Sequence, residues 1–334
     1  MKFLDGLGMK YMGRVAVLAV SAMLATLPLC AQSYQAPLNT LISNASASAV
    51  INQPDDSLLT ITKRVDEVNL LFIATDKHGK FVRNLNQNDF SILDDHKPPE
   101  SIISFRSDTD LPLEMGLLVD TSGSVRERFR FEQEAAMGFL EHVVRPSFDK
   151  AFVVGFSSHA QMTQDFTDNH VLLSAGVLRM RDGGGTALFD AIYHACKDKF
   201  KDNPGHAVRR ALVIVSDGED NQSEFSEAQA IEAAQRAQVT IYTISTDDSG
   251  LILRGDQVME QIAEATGGRA FLPFKMKDIT KSFSAIEDEL RSQYVVSYRP
   301  ADFNADGRFR PIEITALKKD LQVRARMGYY APRP

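Results

Sequence analysis

The sequence predicts an α/β fold: a doubly wound, mostly parallel sheet that is inserted in a small β-domain formed by the N- and C-terminal flanks. Over residues 111–290, short apolar runs alternate with segments of helical periodicity. Strands that are apolar on both faces are typical of a parallel sheet covered by helices. The flanks, residues 59–110 and 291–334, show only strand and turn patterns, and neither is long enough to bury a core alone. We therefore expect the two flanks to pack together as one β-domain.

The N-terminal segment has the composition of a secretory signal. Basic residues precede an apolar stretch over 15–27, and a cleavage site follows next to Cys30. We predict a signal peptide over residues 1–31, so the protein is expected to be secreted or periplasmic. Residues 32–58 are rich in Ser, Ala, Asn, Gln and Pro, which predicts a flexible leader. A lipid on Cys30 and an uncleaved membrane anchor are the alternatives, and the sequence shows no second membrane segment.

Each flank contains three predicted strands that are separated by turn residues. The N-terminal flank has them at Leu70–Ile73, Phe90–Ile92 and Ile102–Phe105. The C-terminal flank has them at Tyr294–Tyr298, Ile312–Ile314 and Leu321–Ala325.

Strands and helices alternate between the flanks. The apolar runs that predict strands are Leu117–Val119, Phe152–Val154, Leu212–Val215 and Val239–Ile244. Apolar residues at helical spacing predict helices over 131–143, 189–200, 230–237 and 279–290. The segment Gln161–Phe166 follows its preceding strand too closely for a helical crossover, so we predict an antiparallel edge strand there.

Polar side chains that could bind a metal ion follow two of these strands. Asp120, Ser122 and Ser124 come directly after one strand, Asp217 follows another, and Thr186 lies in a glycine-rich loop before a helix. Ligands of open parallel sheets bind beyond the carboxyl ends of the strands, so we expect the three segments to meet there. Their hard oxygen donors and two negative charges fit a Mg²⁺ site that keeps open positions.

This ordered set of residues resembles the metal-ion-dependent adhesion site of the von Willebrand factor type A (VWFA) domain. The order is Asp-x-Ser-x-Ser, then Thr, then Asp, and all five positions match. The resemblance covers nearly all of residues 60–330, including both flanks. Several stretches also resemble a secreted bacterial subgroup, the VWFA-related Acidobacterial domain family: Gly183–Ala191, Ser216–Asp220, Thr266–Arg269, Glu289–Tyr294 and Gly328–Tyr330.

The resemblance implies a VWFA domain over residues 111–290 and a Mg²⁺ ion, with Mn²⁺ as a substitute. By this resemblance, the hydroxyls of Ser122 and Ser124 coordinate the ion directly. Thr186 does so directly or through water, and both aspartates, Asp120 and Asp217, act largely through water. An Asp or Glu carboxylate of a partner protein would fill the remaining position. The implied function is protein binding of the cell-adhesion type, and not catalysis.

Two other functions stay open at this point. A metal-dependent hydrolase, such as a phosphatase, could use Asp120 as its nucleophile. Against this, the motif continues with Ser122 and not with a second acid. A metal-free assembly scaffold is the other alternative, and the intact five-residue set argues against it. The net charge of −7 gives no general attraction for nucleic acid or anionic lipid, so neither is expected as a partner.

A weaker cation signal lies in the C-terminal flank. Asp302, Asn304, Asp306 and, at the twelfth position, Glu313 mimic a Ca²⁺-binding loop over residues 302–313. A β-hairpin turn explains the same residues, and neighbouring arginines bring positive charge to the loop. Ca²⁺ is therefore the less favoured interpretation.

Overall fold

The computed structural model describes residues 67–107, 111–123, 128–200, 208–247, 249–273, 275 and 278–333. In chain order, the strands are β1 (Val68–Asp76), β2 (Phe90–Asp94), β3 (Ser101–Ser107), β4 (Leu113–Asp120), β5 (Lys150–Phe156), β6 (Ala160–Thr167), β7 (Arg209–Ser216), β8 (Thr240–Ser245), β9 (Ala270–Phe271), β10 (Gln293–Arg299), β11 (Phe309–Ala316), β12 (Leu321–Ala325) and β13 (Gly328–Tyr330). The helices are α1 (Phe129–Val143), α2 (His170–Leu178), α3 (Leu188–His194), α4 (Glu227–Arg236), α5 (Arg254–Thr266) and α6 (Ile279–Leu290). The predicted signal peptide (1–31), the predicted leader (32–58) and Ser124 lie outside the described residues.

The mostly parallel sheet that the sequence predicts has the strand order β6-β5-β4-β7-β8-β9. Strand β4 pairs in parallel with both β5 and β7, and β8 and β9 continue in the same direction. Strand β6 is antiparallel to β5 and forms one edge, which confirms the edge strand predicted at Gln161–Phe166. The strand order reverses beside β4, which is where ligands bind in sheets of this kind.

The sheet is apolar on both faces because alternate residues of each strand point into two different cores. Leu117 and Val119 pack with α1, α2 and α6, whereas Leu118 packs with α3, α4 and α5. Continuous apolar runs such as Leu117–Val119 are therefore required by burial on both sides.

The helices agree with the sequence prediction in part. Helix α1 is present, but Phe131 and Ala135 are only half-buried, and the buried stripe includes Phe129, Glu132 and Ala136. The helix predicted over 189–200 ends as an α-helix at His194 and continues as a π-helical turn over Ala195–Lys199. Helices α2 and α5 were not predicted. Exposed apolar side chains on α2 and the short apolar stripe of α5 obscure their helical periodicity.

The two flanks pair with each other, as predicted. Strand β1 lies between β10 and β12, and β11 pairs with β2. The resulting sheets, β12-β1-β10-β3 and β13-β11-β2, enclose a core around Phe72. The ring centroid of Phe72 lies 4.9 Å from that of Phe90 and 5.5 Å from that of Tyr294. All described residues belong to one unit, Thr62–Pro334, so the domain boundaries at residues 110 and 290 remain a prediction.

Candidate metal centre

Two neighbouring strands of the parallel sheet end in side chains that bond to each other. Asp120 is the last residue of β4, and Ser216 is the last residue of β7. The Ser216 hydroxyl donates a hydrogen bond to Oδ2 of Asp120 at 2.7 Å, and the backbone N–H of Ser122 donates to Oδ1 at 2.8 Å. Both oxygens of the Asp120 carboxylate are thus oriented at the carboxyl edge of the sheet, next to the point where the strand order reverses.

The Asp120 carboxyl lies in a buried and acidic environment. The residue is fully buried, and this burial raises the pKa of its carboxyl to about 6. Hydrogen bonds from Ser216 and Ser122 lower the pKa in part, and the charge of Asp217 raises it. A cation placed beside such a group favours its ionised form. The environment of Asp120 therefore suits a bound metal ion.

A glycine-rich loop brings Thr186 to the same edge of the sheet. The N–H of Gly183 donates to the carbonyl of Thr121 at 2.6 Å, and the N–H of Gly123 donates to the carbonyl of Gly184 at 3.2 Å. Gly183 and Gly184 have φ angles of 131° and 96°, which side-chain-bearing residues rarely adopt. The glycines therefore allow this loop to lie against the loop that follows β4.

The loop after β7 completes the arrangement. Oδ1 of Asn221 accepts the N–H of Thr186 at 3.0 Å, and the N–H of Asn221 donates to the carbonyl of Thr186 at 3.0 Å. Asp217 is half-buried, and its Oδ1 accepts the N–H of Glu219 at 3.2 Å. Gly218 has a φ of 76°, and a Cβ there would lie 2.2 Å from a carbonyl oxygen of the first turn of α5. Only glycine fits this close approach.

Four of the five predicted site residues thus lie at the end of β4 or on three loops that hydrogen-bond to one another: Asp120, Ser122, Thr186 and Asp217. The fifth, Ser124, lies outside the described residues. Within the described part of the chain, no group of three His, Cys, Asp or Glu side chains is placed to hold a metal ion. A metal at this edge would therefore depend on hydroxyl oxygens as well as carboxylates. The role of the five residues as metal ligands remains a prediction.

Three residues were not predicted from the sequence: Ser216 and Asn221, which lie at this edge, and Glu132, which is buried on α1. Ser216 and Asn221 act across loops that are far apart in sequence, so no local spacing reveals them. Glu132 had a detectable signal, because it lies three residues after Phe129 and four before Ala136, on the buried stripe of α1. A glutamate on an apolar helical stripe is an exception that merits a functional explanation.

The loop with the Ca²⁺-like pattern already has positively charged partners. Asp302 pairs with Lys97, and Asp306 pairs with Arg308 at 2.8 Å and with Arg310 at 3.4 Å. The pKa of the Asp306 carboxyl is lowered to about 2, chiefly by hydrogen bonds from the backbone and side chain of Arg308. Asp302 and Asp306 are thus balanced by lysine and arginine side chains, which favours the turn interpretation.

Several solved structures are similar to this chain. A von Willebrand factor type A protein from Catenulispora acidiphila is 12% identical, with a TM-score of 0.47, and the match covers 75% of this chain and 76% of that one. Proximal thread matrix protein 1 from the mussel byssus is 14% identical, with a TM-score of 0.47 and coverage of 59% and 49%. This chain thus spans about half the length of the mussel protein. The mussel protein has also been solved with zinc in its metal-ion-dependent adhesion site (MIDAS) motif.

A third structure, an aerotolerance-related membrane protein from Bacteroides fragilis, is 16% identical with a TM-score of 0.44, and the match covers 53% of this chain and 98% of that one. No curated protein sequence gives a significant match to this chain. Among the helices of the described residues, none combines the length and the apolar character needed to cross a membrane.

The family comparison covers the elements that carry the candidate metal centre. The family model of the von Willebrand factor type A domain matches residues 114–289, which is more than half of the chain. The match extends from β4 to α6 and includes the loops of Asp120, Thr186 and Asp217. The Acidobacterial subgroup remains a prediction within it. The chain belongs to the von Willebrand factor type A domain family.

Proposed function

We propose that this protein is a secreted or periplasmic protein-binding module that recognises a carboxylate of its partner through a Mg²⁺ ion. Asp120, Ser122, Ser124, Thr186 and Asp217 would hold the ion. One observation carries the proposal: the loops after β4, before α3 and after β7 are hydrogen-bonded to one another at the switch point of the sheet.

The donor set fits a hard divalent cation. Carboxylate and hydroxyl oxygens are ligands that Mg²⁺ and Mn²⁺ prefer, and no histidine or cysteine is among the proposed ligands. The buried Asp120 carboxyl, with its pKa raised to about 6, would be stabilised in its ionised form by a cation.

The side chains at the site have different roles in this proposal. Ser122 and Thr186 contribute neutral hydroxyl oxygens. Asp120, oriented by Ser216, contributes negative charge at a buried position, and Asp217 does so at a half-exposed one. When bound, the ion supplies an electrophilic position for an oxygen of the partner's carboxylate.

Exposed apolar residues beside the site support a protein as the partner. Leu251, Ile252 and Leu253, in the loop between β8 and α5, are 66%, 60% and 42% exposed. The helix that follows them packs against the Asp217 loop, since a Cβ on Gly255 would lie 2.1 Å from the carbonyl oxygen of Asp217. Adjacent exposed apolar side chains are typical of an interaction surface. They would surround the bound carboxylate with apolar contact area.

Calorimetry with MgCl₂ and MnCl₂ tests the metal site. Asp120→Ala removes the buried carboxylate, and we expect it to weaken Mg²⁺ binding about 100-fold or more. Glu219→Ala is the matched control because it removes an exposed carboxylate from the loop after β7, and it should bind Mg²⁺ like the wild type. A wild-type chain that binds neither ion would contradict the proposal and favour the metal-free scaffold.

Capture of proteins from the native envelope or culture medium tests partner recognition. We expect EDTA to abolish capture, Mg²⁺ to restore it, and carbodiimide amidation of the carboxylates in the captured fraction to prevent it. The double variant Leu251→Ser, Ile252→Ser should capture less partner while binding Mg²⁺ normally. Capture that is indifferent to EDTA and to Asp120→Ala would contradict the proposal.

Two further measurements address the remaining alternatives. Turnover of p-nitrophenyl phosphate that is lost in Asp120→Asn would favour a hydrolase over a binding module. N-terminal sequencing of the exported protein tests cleavage of the predicted signal after residue 31.

A further inference from the structure

Glu132 is a buried acid whose carboxylate has no hydrogen-bond partner among the described residues. It lies on α1, the residue is 1% exposed, and neither of its side-chain oxygens is bonded to another described residue. Glu289 on α6 is buried to a similar degree, but it pairs with Arg269 at 3.5 Å and with Arg324. Glu114 on β4 likewise pairs with a lysine and an arginine. The fold thus provides partners for other buried glutamates and leaves the carboxylate of Glu132 unsatisfied.

Hydrogen bonds connect the helical turn that carries Glu132 to the candidate metal centre. The N–H of Glu132 donates to the carbonyl of Arg128 at 3.1 Å, and the Arg128 guanidinium donates to the carbonyl of Thr246. The N–H of Thr246 donates to the carbonyl of Ser216 at 3.0 Å, and the Ser216 hydroxyl donates to Asp120. The Thr246 hydroxyl is also buried without a hydrogen-bond partner among the described residues. Unsatisfied side-chain oxygens therefore occur on α1 and just after β8, the two segments that these hydrogen bonds connect to Asp120.

The charged groups that act on Glu132 also indicate that it lies near the candidate metal centre. The pKa of Glu132 is raised to about 8, chiefly by burial; Arg128 lowers it, and Asp120 and Asp217 contribute to the increase. The Glu132 carboxylate is thus close enough to both aspartates to be repelled by them. When ionised, these three carboxylates and the Arg128 guanidinium carry a net charge of −2, which one divalent cation balances.

We propose that Glu132 is a further acidic residue of the metal centre, outside the five-residue motif. Its carboxylate supplies a third negative charge beside a bound Mg²⁺ or Mn²⁺ ion, and it acts through the water shell of the ion. Without the ion this carboxylate is buried and unsatisfied, and with the ion its charge is balanced. The inference rests on the metal site of the proposed function.

Metal titration of the full chain with Glu132→Gln tests the inference. The substitution keeps the size of the side chain and removes its charge. We expect the Kd values for Mg²⁺ and Mn²⁺ to rise about 10-fold or more, and the Mg²⁺-induced increase in thermal midpoint to become smaller. In EDTA the variant should unfold at the same temperature as the wild type or at a higher one, because it no longer buries an unpaired charge.

Two glutamates serve as matched controls. Glu134→Gln makes the same change at an exposed position of α1 and should leave the Kd unchanged. Glu289→Gln makes it at a buried position that has arginine partners. It should lower the thermal midpoint equally in EDTA and in Mg²⁺ without changing the Kd, because only structural ion pairs are lost.

The outcomes separate this inference from the proposed function. Failure of the wild type to bind Mg²⁺ or Mn²⁺ would contradict the proposed function, and the inference with it. Wild-type binding with an unchanged Kd in Glu132→Gln would overturn the inference alone. If Glu132→Gln does not fold, Glu132→Leu replaces it, with the same weakening of metal binding expected. Failure of both variants to fold in EDTA would show that the carboxylate is needed for the metal-free fold, which would also overturn the inference.

Discussion

Two buried acids have contrasting surroundings. One lies in the β-sandwich that the flank sheets β12-β1-β10-β3 and β13-β11-β2 form, and the other lies on α1 beside the parallel sheet. Asp94 ends β2, is 4% exposed, and accepts hydrogen bonds from the hydroxyls of Tyr298 at 2.7 Å and Tyr329 at 3.4 Å. Glu132 is 1% exposed and accepts no hydrogen bond from another described residue. Burial raises the pKa of both groups. Hydrogen bonds from the tyrosine hydroxyls lower the pKa of Asp94, whereas the charge of Arg128 lowers that of Glu132 and the charges of Asp120 and Asp217 raise it.

The contrast separates Asp94, a buried acid with a structural role, from Glu132, a buried acid that we propose to interact with a metal ion. Buried polar groups in folded proteins are normally hydrogen-bonded. Asp94, in the N-terminal flank, follows this rule because Tyr298 and Tyr329 of the C-terminal flank donate to it. Glu132 departs from it at the edge of the sheet where the proposed ligands converge. Such departures occur where a fold gives up local stability for function. Changes in the sandwich should therefore affect stability, and changes at the sheet edge should affect the response to metal.

The largest effect is expected from Phe72→Ala in the core of the sandwich. Phe72 is 2% exposed and packs on Phe90 and Tyr294, so its truncation should lower the free energy of unfolding by about 3–5 kcal/mol. Because the sheet edge is untouched, the Kd for Mg²⁺ measured by calorimetry on the folded variant should not change. Ile103→Ala, at a 50% exposed position of β3, is the control and should change neither quantity.

The same variant tests the domain division at residues 110 and 290. A separate low-temperature unfolding transition that Mg²⁺ does not raise would support two units. A single unfolding transition whose midpoint Mg²⁺ raises would show that the sandwich and the parallel sheet unfold together. The difference between the two regions would then be limited to the surroundings of Asp94 and Glu132.

The next largest effect is a pH dependence that belongs to Glu132. Burial, Asp120 and Asp217 raise its pKa from 4.5 to about 8, against the effect of Arg128. A raised acid pKa gives stability that is present in full below the unfolded-state value and is lost as pH rises toward the folded-state value. In EDTA, the unfolding free energy of the wild type should therefore fall by about 2–4 kcal/mol relative to Glu132→Gln between about pH 5 and pH 8.

Urea unfolding at several pH values measures this difference. Saturating Mg²⁺ should reduce it, because a cation stabilises the ionised carboxylates. Glu134→Gln should retain the wild-type profile. A difference between wild type and Glu132→Gln that stays constant across the pH range would show that Glu132 does not titrate in this way.

The parallel sheet and its metal-site motif could be predicted from the sequence, whereas the contrast between the two buried acids could not. The run Leu117–Val119 predicts a strand buried on both faces because its alternate residues enter two cores. The motif at Asp120 predicts the sheet edge because it directly follows that run. Glu132 was not predicted because the apolar stripe predicted for α1 begins at Phe131, whereas the residues that are buried at the start of the helix are Phe129 and Glu132. The hydrogen bonds that satisfy one buried acid and not another depend on tertiary packing, which no local spacing encodes.

A smaller effect on stability is expected from Tyr298→Phe. The substitution removes one hydrogen-bond donor of Asp94 and so makes its surroundings more like those of Glu132. The variant removes the hydroxyl that donates to Asp94 at 2.7 Å and keeps the ring in the core. Losing one partner of a buried carboxyl should cost about 1–2 kcal/mol in urea unfolding, with Mg²⁺ binding unchanged. Tyr330→Phe, at a half-buried position of β13, is the control. An equal decrease in the free energy of unfolding in both variants would show that the hydrogen bond to Asp94 contributes no more to stability than an ordinary tyrosine hydroxyl.

The smallest effect is expected from Lys97→Ala at the surface of the β-sandwich. Lys97 and Asp302 are each 61% exposed, and exposed ion pairs contribute little to stability, so the thermal midpoint should change by no more than the error of the measurement. The variant nevertheless removes the positive charge that pairs with Asp302 in the loop over residues 302–313, so that any affinity of this loop for Ca²⁺ would become measurable. We expect Ca²⁺ to raise the midpoint of neither protein through this loop, because Asp306 keeps its arginine partners. A Ca²⁺-dependent increase in the thermal midpoint of Lys97→Ala that Asp306→Asn removes would instead place a second cation site in the flanks. A carboxylate with basic partners would then also bind a cation, and the contrast with Glu132 would no longer identify a metal site.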